Sequence, residues 1–341
     1  MARQVVKNQI TDEKSIAEIL PDNKELLEDF IDYLRSVDRS ENTIYQYRSD
    51  LNIFFVYNLK FNGNKKFIEI TKRELTKFQN YALTEWGWSP KRLRRVKSVI
   101  SSLSNFIENI LDEEEEFKDF RSIVNKIESP ANVPTLEKSI FSEWELKRLL
   151  DDLVEKKKYR QAAMLALAMY SGRRKAELPR FKVSYFADEN IIFGKLWKTH
   201  EKVRTKGRGS KGKLVHLYVM KDGFEPYLKL WMRYREENGI ESEWLFPSYA
   251  DFSRPMSLDT MDDWARHFTK LLGKNFYWHS MRHYFTTMLA KNDVPVSVIQ
   301  DIVSWESPDM VKLYTDISAD ENIGRWFASN GAELRLVKNA I

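Results

Sequence analysis

The C-terminal half of this chain carries three short groups of reactive side chains. The first is Ser171-Gly172-Arg173-Arg174-Lys175-Ala176-Glu177-Leu178. The second is His279-Ser280-Met281-Arg282-His283, and the third is Trp305 with Tyr314 nine residues on. Together they suit work on a phosphodiester. Its two non-bridging oxygens form an anionic pair that guanidinium forks grip well. Arg174 and Arg282 could hold both oxygens and offset the charge that builds in a phosphorane-like transition state. A phenol with a pKa of ~10 attacks poorly until a base takes its proton. A histidine titrating near neutrality is such a base. On a helix His279 and Arg282 share a face as i, i+3 neighbours, with Met281, Phe285 and Met288 opposite. A departing 5′-oxygen needs a proton, which a lysine on a hairpin could supply.

Each piece also fits an ordinary structural role. Arg174 and Glu177, three apart, could be a surface ion pair. His279 and Arg282 could be a helix-surface pair, and Trp305 could be core. Tyr314 is one of 15 tyrosines, and a Lys-rich hairpin could be a solvated turn.

The elements that must position these residues are mostly helical. Leu27, Phe30, Ile31 and Leu34 form one apolar stripe. Ser40 is placed to cap a second helix through Thr43, Tyr47, Leu51, Phe54 and Phe55. A third helix runs around Leu75 and Phe78. Ser89-Pro90 opens a fourth, with proline where a missing N–H costs nothing. One side of that helix carries Lys91, Arg92, Arg94, Arg95 and Lys97, the other Val96, Ile100 and Leu103. The stretch from Glu128 to Thr135, with two prolines, reads as a linker. Ser142 and Glu145 form a capping box ahead of Leu146, Leu149 and Leu150. Ile191-Ile192-Phe193 and Val215-His216-Leu217-Tyr218-Val219 read as strands around a turn rich in Gly and Lys, and the chain is helical from Glu225 on.

Composition narrows the class. Fifty-five Lys and Arg face 50 acids, a net charge of +5, so a polyanionic partner and a solvated salt-bridged surface are equally compatible. There are no cysteines, which excludes disulfides and thiolate metal sites. Five histidines without tight spacing argue against a dedicated metal site. No apolar run approaches the ~20 residues a membrane helix needs. The expectation is a cytoplasmic protein with no membrane partner.

The order of these groups resembles the tyrosine recombinase/phage integrase family, over roughly residues 24 to 318. Ser171 to Leu178 is similar to the family's T/S-G-x-R-x-x-E-L box, with Arg174 as the clamp arginine. Arg173 stands where an apolar residue is usual; on a helix it would sit ~100° from Arg174. His279 to His283 matches H-x-L-R-H with Met281 for Leu, and Trp305 stands where a histidine is commoner. The helices around Phe30 to Leu34 and Ser40 to Leu51 look like the family's core-binding domain.

The resemblance implies a mainly α fold with a small antiparallel β-sheet, built as a two-domain clamp. Residues 1–21 would be an extension, 22–128 a helical core-binding domain, 129–140 a linker, 141–318 the catalytic domain and 319–341 a tail. Tyr314 would form a 3′-phosphotyrosine and His279 would take its proton. Arg174 and Arg282, joined by Trp305, would hold the phosphate. Lys206 would protonate the leaving oxygen if one counts from the N-terminal strand, Lys211 if one counts back from Leu214-Val215. Glu177 and His283 would orient the site. The helix from Lys91 to Lys97 would face phosphates. The implied partners are double-stranded DNA and three further copies in a homotetramer, with no metal, ATP or other cofactor. The tail's Ile323, Trp326, Phe327, Leu334, Leu336 and Val337 would dock on a neighbouring protomer or fold back. A type IB topoisomerase-like enzyme and a non-catalytic DNA-binding regulator are the competing readings.

Overall fold

The computed structural model describes residues 10–131, 140–205 and 213–305 of the chain, which fall into two compact units. The first unit is helical: α1 (Glu13–Ala17), α2 (Pro21–Ser36), α3 (Glu41–Phe61), α4 (Lys72–Thr84) and α5 (Pro90–Ile110). Side-chain caps set most of its helix starts. Ser40 accepts from the Thr43 N–H and Ser89 from the Arg92 N–H, while Thr71 and Glu74 form a capping box. α3 packs on α2 and α5, and α4 packs on α5. Their shared interior holds Phe30, Phe54, Phe55, Phe67, Phe78, Val96, Ile100 and Leu103, all buried. Phe54 and Phe78 meet edge to face with centroids 5.1 Å apart.

The second unit is built around α7 (Tyr159–Ser171), whose residues Ala162 to Met169 are all buried. It is apolar all round because α6 (Glu143–Glu155), α8 (Lys221–Glu237) and α10 (Trp278–Lys291) enclose it. The Ser142–Glu145 capping box starts α6 as the sequence leads one to expect. Between α7 and α8 run five short strands: β1 (Ile191–Ile192), β2 (Leu196–Lys198), β3 (Val203–Arg204), β4 (Leu214–Val215) and β5 (Tyr218–Met220). They make an antiparallel three-stranded sheet, β1-β2-β5, and a separate β3-β4 pair. α9 (Leu258–Leu272) and α11 (Val296–Val303) complete the described part.

Three readings need correction here. Phe193 is not in a strand; its φ of 52° puts it in the turn after β1, 89% exposed. The run from Val215 to Val219 is two strands, because β4 pairs with β3 and β5 with β2. The last long helical stretch begins at Lys221 rather than Glu225, and is interrupted between α8 and α9.

α7 ends where the chemistry begins. Gly172 takes a left-handed conformation (φ 60°) at its C-terminus. A Cβ built there would lie 2.4 Å from the Phe285 Cδ1 atom of α10. Gly172→Ala must therefore move the Phe285 ring and also holds alanine in a left-handed backbone, a cost of at least ~1–2 kcal/mol. Urea denaturation should show the midpoint falling with the slope unchanged; an unshifted midpoint would mean that this turn relaxes freely.

Candidate active site

The Gly172 turn changes the geometry of the arginine pair. Arg173 and Arg174 are not on a helix, so the expected ~100° helical separation does not apply. They leave the turn on an irregular segment in different surroundings. Arg174 is half-buried. Its Nη1 lies 3.0 Å from Glu177 Oε1, and its backbone N–H donates to Glu177 Oε2 at 3.1 Å. Glu177 is buried, so this ion pair is an orienting contact inside the site.

Arg173 turns inward and is fully buried. It donates to the carbonyl of Ile302 and, at 3.4 Å, to Ser304 Oγ. Burial pushes its guanidinium down to about 10, with the neighbouring Arg174 charge adding to the effect and Glu177 opposing it. Its role is invisible to motif reading, which places an apolar residue there.

α10 presents the second box. Arg282 is fully buried and donates to Gly172 O at 2.9 Å and to Val303 O at 2.8 Å. Its guanidinium carbon stands 4.8 Å from the Trp305 ring centroid. Trp305 is itself buried in a small apolar cluster with Phe285, Leu289, Ile299 and Val303. His279 is half-buried on the same helix face, as its i, i+3 spacing from Arg282 demands. Its pKa is pushed down to about 4, first by burial, then by the nearby charges of His283, Arg282 and Arg174. The His283 ring meets the His279 ring edge-on at 5.5 Å. The described residues therefore bring Arg174, Glu177, His279, Arg282, His283 and Trp305 into one neighbourhood. Tyr314, Lys206, Lys211 and the tail from 319 to 341 lie outside the described residues.

The basic run on α5 is only partly available. Arg92 lies over the Trp88 ring at 4.2 Å, and Arg95 pairs with the buried Asp50 at 2.7 Å. Arg94 donates from Nε to Pro130 O at 2.9 Å, with the residue exposed. Lys97 is the correction: it is buried, and its ammonium donates to Ile127 O. Burial lowers its pKa. It sits on the core side of the helix because Val96, Ile100 and Leu103 draw that face inward. Lys91 is exposed.

The sequence model of the phage integrase family matches residues 140–321, more than half of the chain. The chain belongs to the phage integrase family. A second model, the family's N-terminal SAM-like domain, matches residues 26–116. Family membership makes this chain a tyrosine recombinase, of an enzyme class that transfers DNA strands. The SPbeta prophage-derived recombinase-like protein YomM of Bacillus subtilis (strain 168) is 28% identical over 292 residues, 83% of either chain. Tyrosine recombinase XerA of Pyrococcus horikoshii is 25% identical over 303 residues, 87% of this chain and 90% of that one. The fold is shared with solved structures. XerH site-specific recombinase, bound to palindromic difH substrate, superposes with a TM-score of 0.62 at 18% identity, covering 94% of this chain and 90% of that one. A lambda integrase dimer on a COC′ core site gives 0.61 at 16%, covering 91% and 99%. Among the described residues no helix is long and apolar enough to cross a membrane.

The depressed His279 has a consequence for stability. Its folded pKa lies below the unfolded value, so between about pH 6.5 and pH 4 the unfolded chain binds a proton that the folded one refuses. Stability should fall as pH drops through that window. In His279→Gln the decline of Tm over the window should be shallower than in the parent; identical pH profiles would show that His279 is not held neutral.

Proposed function

We propose that this recombinase cleaves and rejoins DNA through a covalent link to Tyr314, with Arg174, His279, Arg282 and Trp305 as the site that receives the scissile phosphate. The observation that supports this most strongly is the convergence of both box arginines on one half-buried histidine. A half-buried imidazole with the charges of Arg174 and Arg282 nearby suits an anion-binding site that must also accept a proton.

In this reading Tyr314 Oη attacks the phosphorus and its proton passes to His279. The bond from phosphorus to the 5′-oxygen breaks, leaving a 3′-phosphotyrosine. Lys206, or Lys211, returns a proton to the departing oxygen. Arg174 reaches the phosphate from the half-buried end of its pair with Glu177. Arg282 is pre-set by its bonds to the carbonyls of Gly172 and Val303. The incoming phosphate lifts the His279 pKa, because an anion stabilises imidazolium. Protonation thus becomes easier when substrate is present. Rejoining runs the same steps backward with another strand's 5′-hydroxyl. Because the phosphotyrosine keeps the bond energy, neither ATP nor metal enters the scheme.

Exchange between two duplexes breaks four strands, which calls for four protomers. The lambda integrase neighbour has been solved as a tetramer on a Holliday junction, in keeping with that number. Within the basic run on α5, Arg92 lies over Trp88, Arg95 pairs with Asp50 and Lys97 is buried, so Lys91 and Arg94, both exposed, are the two cations that would meet DNA phosphates.

The primary test uses a duplex that the protein selects from a random-sequence pool, nicked beside its centre, in EDTA. The parent should give a covalent band on a denaturing gel and Tyr314→Phe none. An adduct that persists in Tyr314→Phe removes the tyrosine from this role, and tight binding with no adduct favours a non-catalytic regulator. Relaxation of a supercoiled plasmid lacking the selected site would favour a topoisomerase. Separately, Lys91→Ala and Arg94→Ala should each reduce the salt slope of binding by ~0.9. Lys97→Ala should leave that slope alone and lower Tm instead; a slope change with an unshifted Tm would put Lys97 on DNA.

A further inference from the structure

A helix leaves its last four carbonyls without an intrahelical partner. At α11 the chain itself closes two of them. The Trp305 N–H donates to Gln300 O at 3.0 Å, and the Ser304 N–H to Asp301 O at 3.2 Å. That is a Schellman ending, with Ser304 left-handed at φ 58°. The carbonyls of Ile302 and Val303 remain, and each is taken by an arginine. Arg282 donates to Val303 O at 2.8 Å, and Arg173 donates to Ile302 O. Arg173 adds a 3.4 Å bond to Ser304 Oγ, so its hydrogen bonds both go to the end of α11. The negative end of the helix dipole therefore faces two guanidiniums.

An arginine is a costly way to fill this space. Its charge is fully buried, its hydrogen bonds go to neutral groups, and an apolar side chain would avoid that desolvation. What it gains is direction. The planar fork fixes the segment at Ser304, which leads directly into Trp305, the residue stacked on Arg282. Tyr314 follows ten residues after Ser304.

We propose that Arg173 is a positioning residue for strand cleavage: it anchors the end of α11, holds Trp305 against Arg282, and sets where the chain departs toward Tyr314. This inference rests on the phosphate-site reading above and makes Arg173 a residue that acts without touching DNA.

Two measurements on the full chain test it. The first needs no DNA. Hydrogen exchange followed by mass spectrometry should show amides of residues 299–305 exchanging about tenfold faster in Arg173→Met, with peptides from α5 unchanged. Unchanged exchange at 299–305 overturns the anchor. The second uses the selected nicked duplex. Arg173→Met should keep its DNA Kd within about twofold while covalent adduct forms roughly 10–100-fold more slowly, the scale of loss expected when a reacting group is misplaced by an ångström. Arg173→Lys, which keeps a donor, should recover part of that rate. Faster exchange with an unaltered adduct rate would confine Arg173 to stability and overturn the proposal. Should Arg173→Met lack a cooperative melt, Arg173→Lys and Ser304→Ala decide the matter by the same readouts, each expected to fall between parent and null. If the parent itself forms no adduct, the cleavage reading fails, and the exchange result still rules on the anchor by itself.

Discussion

The guanidinium of Arg282 bonds to the carbonyls of Gly172 and Val303, 110 and 21 residues away along the chain. Those carbonyls belong to the ends of α7 and α11, where backbone acceptors lack helical partners. One buried side chain on α10 therefore ties three helices together through groups that would otherwise be unsatisfied. The remaining features of the site follow from this tie. Gly172 must turn left-handed so that its carbonyl faces α10, and it must lack a Cβ because the Phe285 ring lies against it. Ser304 must turn left-handed so that Trp305 comes back over the guanidinium. α7 is apolar on every side because it is the post around which the other helices are set.

Among the described residues, such an arrangement concentrates positive charge with little to balance it. Arg173, Arg174 and Arg282 lie close to one another, and Glu177 is the carboxylate paired with them, through Arg174. Burial pushes the His279 pKa down to about 4 and that of Arg173 to about 10. An interior of this kind is poorly matched to its own empty state and well matched to an anion. Donors held rigid by carbonyls need no reorganisation when the anion arrives, which is the condition under which fixed dipoles stabilise a charged transition state most. Burying these charges costs folding stability, and under the proposed function a bound phosphate would offset part of that cost.

The site was legible in the sequence wherever spacing alone fixes geometry. His279 and Arg282 share a face because any helix puts i and i+3 together. Arg174 meets Glu177 at the same interval, but through a turn after the helix has ended. The helix starts at Ser40, Ser89 and Ser142 were legible because a cap is a local contact. What spacing could not show is where a side chain goes once the backbone leaves a regular path. Reading Arg173 as helical failed because the helix stops at Ser171, although the Gly172 that stops it is a recognisable ending. Lys97 was counted with its charged neighbours, yet a lysine bordering an apolar stripe can run its stem inward and spend its ammonium on a carbonyl. Strand β2 had no alternating pattern long enough to detect in Leu196–Lys198.

Lys97 and Arg173 are instances of one device that recurs through both units. Arg235 is buried and donates to the carbonyls of Ser242, Trp244 and Leu245 at 2.6–2.9 Å. Arg160 donates to Pro247 O, and Arg94 to Pro130 O. In each case a cation satisfies carbonyls that have no partner in a strand or helix, those of an irregular segment or, for Arg173, of the last turn of α11. The excess of Lys and Arg is thus partly an internal framework, and net charge is a poor measure of how much phosphate this chain can meet. Arg282 differs from Arg235 in its surroundings. Both are buried and both hold carbonyls, but the bonds of Arg235 close a single loop. Those of Arg282 hold a guanidinium that faces the Trp305 ring and, with Arg174, acts on His279. Convergence of this kind, more than the presence of arginine, is what marks the Arg282 neighbourhood as the candidate active site and Arg235 as a structural knot made with the same chemistry.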